Sequence, residues 1–268
     1  MIFYLPLKWK SKVFVLLLVW IAVAACVSHV KELREAQSQF NQAASFENEL
    51  QIDMEAGDAI AMSTMVTSSY QQTVKILSDL LERKRQPLQE DGLLGTAYTL
   101  KAYAEWRLGD YEEAVATSTA ALEAKLFPRD LALITALRGL IKNDQAYYHM
   151  QERDYGYRDI KILLEEALED ITKGLATAGK EENIRIYLLL SELIVLKNWT
   201  DLRGEPRKFA REIPADFSKQ AEIVQWCKSA QPVWTVFQDE VNRLRPDEAS
   251  ALIQEWSRKL AVAGTCSN

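Results

Sequence analysis

The chain has 268 residues, of which 48% are hydrophobic and 26% charged, with only 10 glycines and 7 prolines. That balance excludes a disordered, low-complexity or collagen-like chain and argues against a turn-rich β-sandwich. Only two histidines, His29 and His149, are present, which excludes a histidine-rich metal centre, and a net charge of −6 is not that of a nucleic-acid binder.

Residues 1–25 hold three lysines, Lys8, Lys10 and Lys12, and no acid, and they end in an apolar run of 13 residues from Val13 to Ala25. A bilayer-spanning helix needs roughly 20 apolar residues, so the run is short for a permanent anchor and reads as a signal peptide. It stops at Val23-Ala24-Ala25-Cys26. Small residues before a cysteine at that place resemble the lipobox of bacterial lipoproteins. The resemblance implies cleavage before Cys26 and diacylation of its thiol, with the covalent lipid as the only added group and the membrane as a partner through it. An ordinary signal peptide ending near a cysteine, or an uncleaved anchor, is the alternative. Val27, where Asp would mark retention at the inner membrane, implies the outer membrane facing the periplasm if the organism is diderm. Removing three lysines and no acid takes the net charge from −6 to −9, so an anionic surface offers no attraction and the acyl chains must hold the protein.

No Gly/Ser/Pro-rich tether follows, and Ser28 is placed to cap a helix that starts at once. Helical spacing then predicts a first pair over about 29–57 and 60–84, and a loop, RKRQPLQEDG, over 83–92. A second pair covers about 93–108 and 111–125, parted by Gly109-Asp110. Leu93, Ala97, Leu100, Ala104 and Leu108 share one arc of its first helix, and Ala114 and Ala121 share one face of its second. A third pair covers about 129–151 and 156–178, and a very apolar helix follows over about 182–201. Gly204, Pro206 and Pro214 mark a break before a C-terminal cap of three helices, about 216–230, 233–244 and 247–262, with Trp234, Phe237, Val241 and Leu244 as its apolar stripe.

The stretch AYTLKAYAEWRLGDYEEAVATSTAALE resembles a tetratricopeptide repeat (TPR) through Gly109-Asp110-Tyr111, Ala114 and Ala121-Leu122. Lys101 and Glu105 depart from that pattern, because those positions are usually apolar. Self-comparison extends it. Ser69–Glu82 aligns with Asp110–Glu123 at an offset of 41, and Leu163–Ala176 aligns at an offset of 53. The fold class expected is all-α: an irregular TPR-like α-solenoid of stacked antiparallel helix pairs over 26–203, with the cap over 204–268. A generic helical bundle is the alternative.

Catalytic chemistry finds little support. His29 lies beside Cys26, and His149 reads as a solvated or capping residue at a helix end. The cysteines lack zinc spacing and no metal set is present. The acidic pairs Glu112-Glu113, Glu165-Glu166 and Glu181-Glu182 read as complements to helix dipoles. Glu192, inside YLLLSELIVL, reads as a carboxylate at a polar edge or paired with Lys197 or Arg185; a general acid is the sharper alternative. Cys227 and Cys266 are either a disulfide, since exported proteins fold where these form, or two separate thiols.

Aromatics are the better lead. Tyr103, Trp106 and Arg107 lie off the main apolar arc, where the TPR resemblance implies a peptide-binding groove, packing against the adjacent repeat being the alternative, and Tyr147-Tyr148 extend that candidate surface. The expected function is a non-enzymatic, membrane-tethered adaptor for an envelope protein or peptide. Alternatives are a small-ligand-binding accessory of periplasmic transport and, on Glu192 alone, a cell-wall enzyme.

Overall fold

A computed structural model of the chain describes residues 28–47, 56–126, 128–151, 155–178, 182–204 and 219–260. Regular structure among them is entirely helical: α1 (28–47), α2 (Ala56–Glu90), α3 (Leu94–Leu108), α4 (Tyr111–Glu123), α5 (Pro128–Gln151), α6 (Tyr157–Thr177), α7 (Glu182–Gly204), α8 (Lys219–Leu244) and α9 (Pro246–Leu260). Adjacent helices pack in pairs, as an all-α repeat fold requires. Among the described residues no helix is long and apolar enough to cross a membrane. The chain packs as two compact units that divide between Gly109 and Asp110. The turn expected to join one helix pair is therefore where the units part.

The first unit holds α1, α2 and α3. Glu32 of α1 bridges to Arg83 of α2, whereas Glu47 accepts from Tyr70. Rising numbers on α1 meet falling numbers on α2, so the two run antiparallel. Their core with α3 forms where Ala43 and Ala104, both fully buried, let Phe40, Val66, Val74 and Leu108 close around Tyr70.

The loop expected over 83–92 is helical as far as Glu90. α2 bends at Lys84 (φ −130°, ψ 22°) and then resumes. Pro87 explains the bend, since its ring crowds the Arg83 carbonyl and its nitrogen cannot bond to it. The extra turn survives because Leu88 is fully buried. It ends in a Schellman motif: Leu93 N–H donates to the Leu88 carbonyl (2.7 Å), Gly92 N–H to that of Gln89 (3.1 Å), and Gly92 takes φ +72°. Gly109 stops α3 in the same left-handed region, at φ +83°. Ser28 is already inside α1 and donates to Glu32 Oε1 at 3.2 Å, so it bonds a side chain in place of the expected cap.

In the second unit α5 and α6 approach most closely. A Cβ added to Gly139 would lie 2.7 Å from the Ala167 carbonyl oxygen, and one added to Gly174 would lie 2.9 Å from that of Ala132. Residue 139 thus faces 167, while 174 faces 132, so the pair is antiparallel. α7 rests on both: Ala132, Ala136, Ala178, Ile184 and Leu188 share one cluster, and Asn198 Nδ2 donates to Asn143 Oδ1 at 2.8 Å. That places α7 parallel to α5, an arrangement that stacked hairpins produce. α8 then covers α7 through Ala230, Trp234, Phe237 and Val241 against Leu189, Leu193 and Leu196, and Ala249 of α9 closes the cluster.

Two helices were expected over 216–230 and 233–244, and α8 is one helix that runs through Pro232. Pro232 is exposed, whereas Ala230 and Trp234 on either side of it are buried on α7. Burial on both flanks keeps the helix continuous, and the carbonyl that Pro232 leaves without its N–H partner belongs to exposed Lys228.

Candidate functional site

In the first unit, Tyr103, Trp106 and Arg107 sit at i, i+3 and i+4 on α3 and so share one face. Tyr103 meets Phe40 of α1 edge-on, with ring centroids 5.5 Å apart, and Trp106 at 5.2 Å. Phe40 meets Tyr70 in turn at 5.5 Å. The Arg107 guanidinium lies 5.3 Å from the Trp106 ring centroid and donates through Nε to Glu47 Oε2 at 3.1 Å. Tyr103 and Arg107 therefore fasten α3 to α1, and Trp106 packs between them on α3. Tyr70 Oη also donates to Glu47 Oε2, at 2.9 Å.

Burial, with a contribution from Tyr103, pushes the Tyr70 phenol from its ordinary 10.0 up to about 12. A raised folded value stabilises the fold fully below pH 10 and is lost as pH climbs towards 12. Tyr70→Phe, which removes that titration along with one hydrogen bond, is expected to cost about 1 kcal/mol at neutral pH. It is also expected to flatten the alkaline fall in stability, read by urea unfolding between neutral pH and pH values above the ordinary phenol range.

Lys101 and Glu105, the departures from the repeat pattern, form an i,i+4 ion pair, and Glu105 is buried. A usually apolar position is thus filled by a carboxylate whose cationic partner lies one turn before it. His29 is buried as well, with Nε2 2.7 Å from Asp91 Oδ2 in the α2–α3 turn.

In the second unit, Tyr147 and Tyr148 near the end of α5 are 50% and 49% exposed. Tyr148 is braced on one side by Tyr111 of α4, at 5.9 Å between centroids, and on the other by His149 at 5.6 Å. His149 stacks on Tyr155 with centroids 3.5 Å apart and 20° between planes. His149 lies in the last turn of α5, at the helix end expected, and is a partly buried rung in an aromatic ladder instead of a fully solvated side chain. The ladder holds Tyr148 from below, and both tyrosines are presented to solvent side by side.

A polar network in the same unit went unforeseen. Asp170, almost fully buried on α6, accepts from Arg138 of α5 through Nε (2.8 Å) and Nη2 (2.5 Å), and from Lys142 Nζ (3.0 Å). Lys142 also bridges to Glu166 at 3.0 Å. Burial by itself would raise the Asp170 carboxyl; the hydrogen bonds and charges of Arg138 and Lys142 outweigh it and hold the group below its ordinary value. The sequence carries a signal for this, since Arg138 and Lys142 are four apart on one helix and Glu166 and Asp170 four apart on the next. Glu166 lies in mid-helix beside Glu165, which pairs with Lys161, so this acidic pair does not sit at a helix start as expected.

Glu192 is half-buried on α7, and burial pushes its carboxyl up. Arg185, one partner expected for it, donates to Glu240 of α8 at 3.3 Å. Among the described residues no group of His, Cys, Asp or Glu gathers as metal ligands. The lipid attachment expected at Cys26, and the candidate disulfide between Cys227 and Cys266, rest on side chains outside the described residues. No protein-family model, curated protein or solved structure matches the chain.

Proposed function

We propose that this chain is a lipid-anchored envelope lipoprotein with TPR-like repeats that works as an adaptor for another envelope protein or an extended peptide. The observation that carries the reading is the adjacent exposed pair Tyr147 and Tyr148, the second of them braced. A tyrosine ring buries a large area on docking with few torsions to freeze, and its hydroxyl stays matched to polar partners. For Tyr148, contact with Tyr111 and with His149, itself stacked on Tyr155, lowers that cost further, because its ring is positioned before a partner arrives. Anchoring is supported by the basic leader, the short apolar run and the small residues before Cys26. Each acyl CH₂ buried contributes about 0.8 kcal/mol, so two or three chains hold a protein at the membrane without help from its charge. Val27 after the cysteine supports the outer membrane in a diderm host.

A photoreactive phenylalanine analogue placed at Tyr147 tests the adaptor role in intact envelopes. Illumination is expected to give a discrete adduct of reproducible mass. The companion change Tyr148→Ala is expected to abolish that adduct while the circular dichroism stays unchanged. Failure to form an adduct in a folded, correctly localised protein counts against the adaptor reading, as does an adduct indifferent to Tyr148.

A further inference from the structure

We infer that one end of the first unit, made of the start of α1, the bend of α2 and the α2–α3 turn, lies against the zwitterionic headgroup layer of the membrane that holds the anchor. This rests on the proposed acylation of Cys26. His29 is 1% exposed, and its ring is hydrogen-bonded to Asp91 in the turn. Leu33 and Ala36, on the same face of α1, are buried as well. Ser28 donates to Glu32, and Glu32 accepts from Arg83 Nη2 at 3.0 Å, one residue before the bend. The first turn of α1 is thus fastened to both the turn and the bend.

Chain length does the rest. Only two residues separate Cys26 from His29, and three extended residue steps span at most about 11 Å. A headgroup layer is itself about 5–8 Å deep on each side of the hydrocarbon. A cysteine acylated at the inner edge of that layer therefore cannot release His29 and Asp91 more than a few ångströms into water. The exposed charges at this end are balanced, with Lys31, Arg83 and Arg85 against Glu82, Glu90 and Asp91. Such a surface matches headgroups that carry both signs and gains little from anionic lipid.

The test uses the full-length acylated protein in phosphatidylcholine vesicles containing a headgroup-linked quencher. A genetically encoded fluorescent amino acid is placed either at Gln89, exposed just past the bend, or at Met65, 47% exposed and about 28 Å before the bend along α2. Fluorescence at Gln89 is expected to be lost and that at Met65 retained, with or without phosphatidylglycerol. His29→Ala, which unfastens α1 from the turn, is expected to restore part of the Gln89 signal with acylation intact. Mass spectrometry of the N-terminal peptide comes first: a bare Cys26 overturns the lipoprotein reading and this inference with it. With Cys26 acylated, an unquenched Gln89, equal quenching at Met65, or quenching that requires phosphatidylglycerol overturns this inference alone.

Discussion

Asp170→Asn should destabilise the second unit by about 3 kcal/mol, the lower end of the cost of breaking a buried ion pair. The replacement keeps the shape and removes the charge. Arg138, four-fifths buried, then loses a carboxylate that takes two of its N–H groups, and Lys142, nine-tenths buried, keeps only Glu166, which is itself half-exposed. The remaining exposure of Arg138 lets water soften the loss, hence the lower end. Urea unfolding followed by circular dichroism reads the change. Its pH dependence identifies the cause. The Asp170 carboxyl titrates below its ordinary 3.8 in the fold, so its contribution is full above that value and fades as pH falls further. The gap between wild type and variant should therefore close in acid. Replacing Asp170, Arg138 and Lys142 together by methionine should recover most of the loss, since an apolar trio leaves no buried charge alone. A gap that persists unchanged in acid would show that packing, not the ion pair, is responsible.

Gly139→Val should cost about 3 kcal/mol by overpacking. The added Cβ alone would sit 2.7 Å from the Ala167 carbonyl oxygen, 2.8 Å from Ile171 Cγ1 and 3.2 Å from Asp170 Cβ. The first of these is backbone and cannot rotate away, so α6 must move as a body. Movement of α6 also stretches the Arg138–Asp170 contact, one residue along α5. Gly139→Ala should cost less, because the gain in helix propensity, up to about 1 kcal/mol, offsets part of the clash. Gly174→Ala presses the same two helices apart at Ala132 and Ala136, so the double alanine variant should lose less than the sum of the singles. Full additivity in denaturant midpoints would mean that the two glycines do not share one interface.

Much of the helical layout is legible from periodicity and stop residues. α3 through α7 begin and end within a few residues of their expected limits, since Gly109 and Pro128 mark helix ends wherever the chain folds. Pro87 and Pro232 fall where a loop or a gap between helices is expected, yet each lies inside a helix, for a physical reason. Whether Pro87 or Pro232 ends a helix depends on what its neighbours bury. Leu88 beyond the first, and Ala230 and Trp234 around the second, are buried strongly enough to carry the helix across. The candidate surface was half legible. Aromatic density around Tyr147 and Tyr148 is visible in the sequence, yet the stacking of His149 on Tyr155 needs the chain to turn between α5 and α6 before the rings can meet. Tyr103, Trp106 and Arg107 read as groove residues or as packing against a neighbouring helix; the contacts of Tyr103 to Phe40 and of Arg107 to Glu47 come from α1, far away in sequence.

By itself the sequence determined that the chain is helical throughout its described parts and where most helices stop, because propensity, spacing and glycine conformational freedom act within a few residues. Only the tertiary structure decided which glycines become contact points, which carboxylate is buried between two cations, and where the chain divides into units. Those outcomes depend on surfaces brought together across tens of residues, and a local pattern holds no record of which face will meet which.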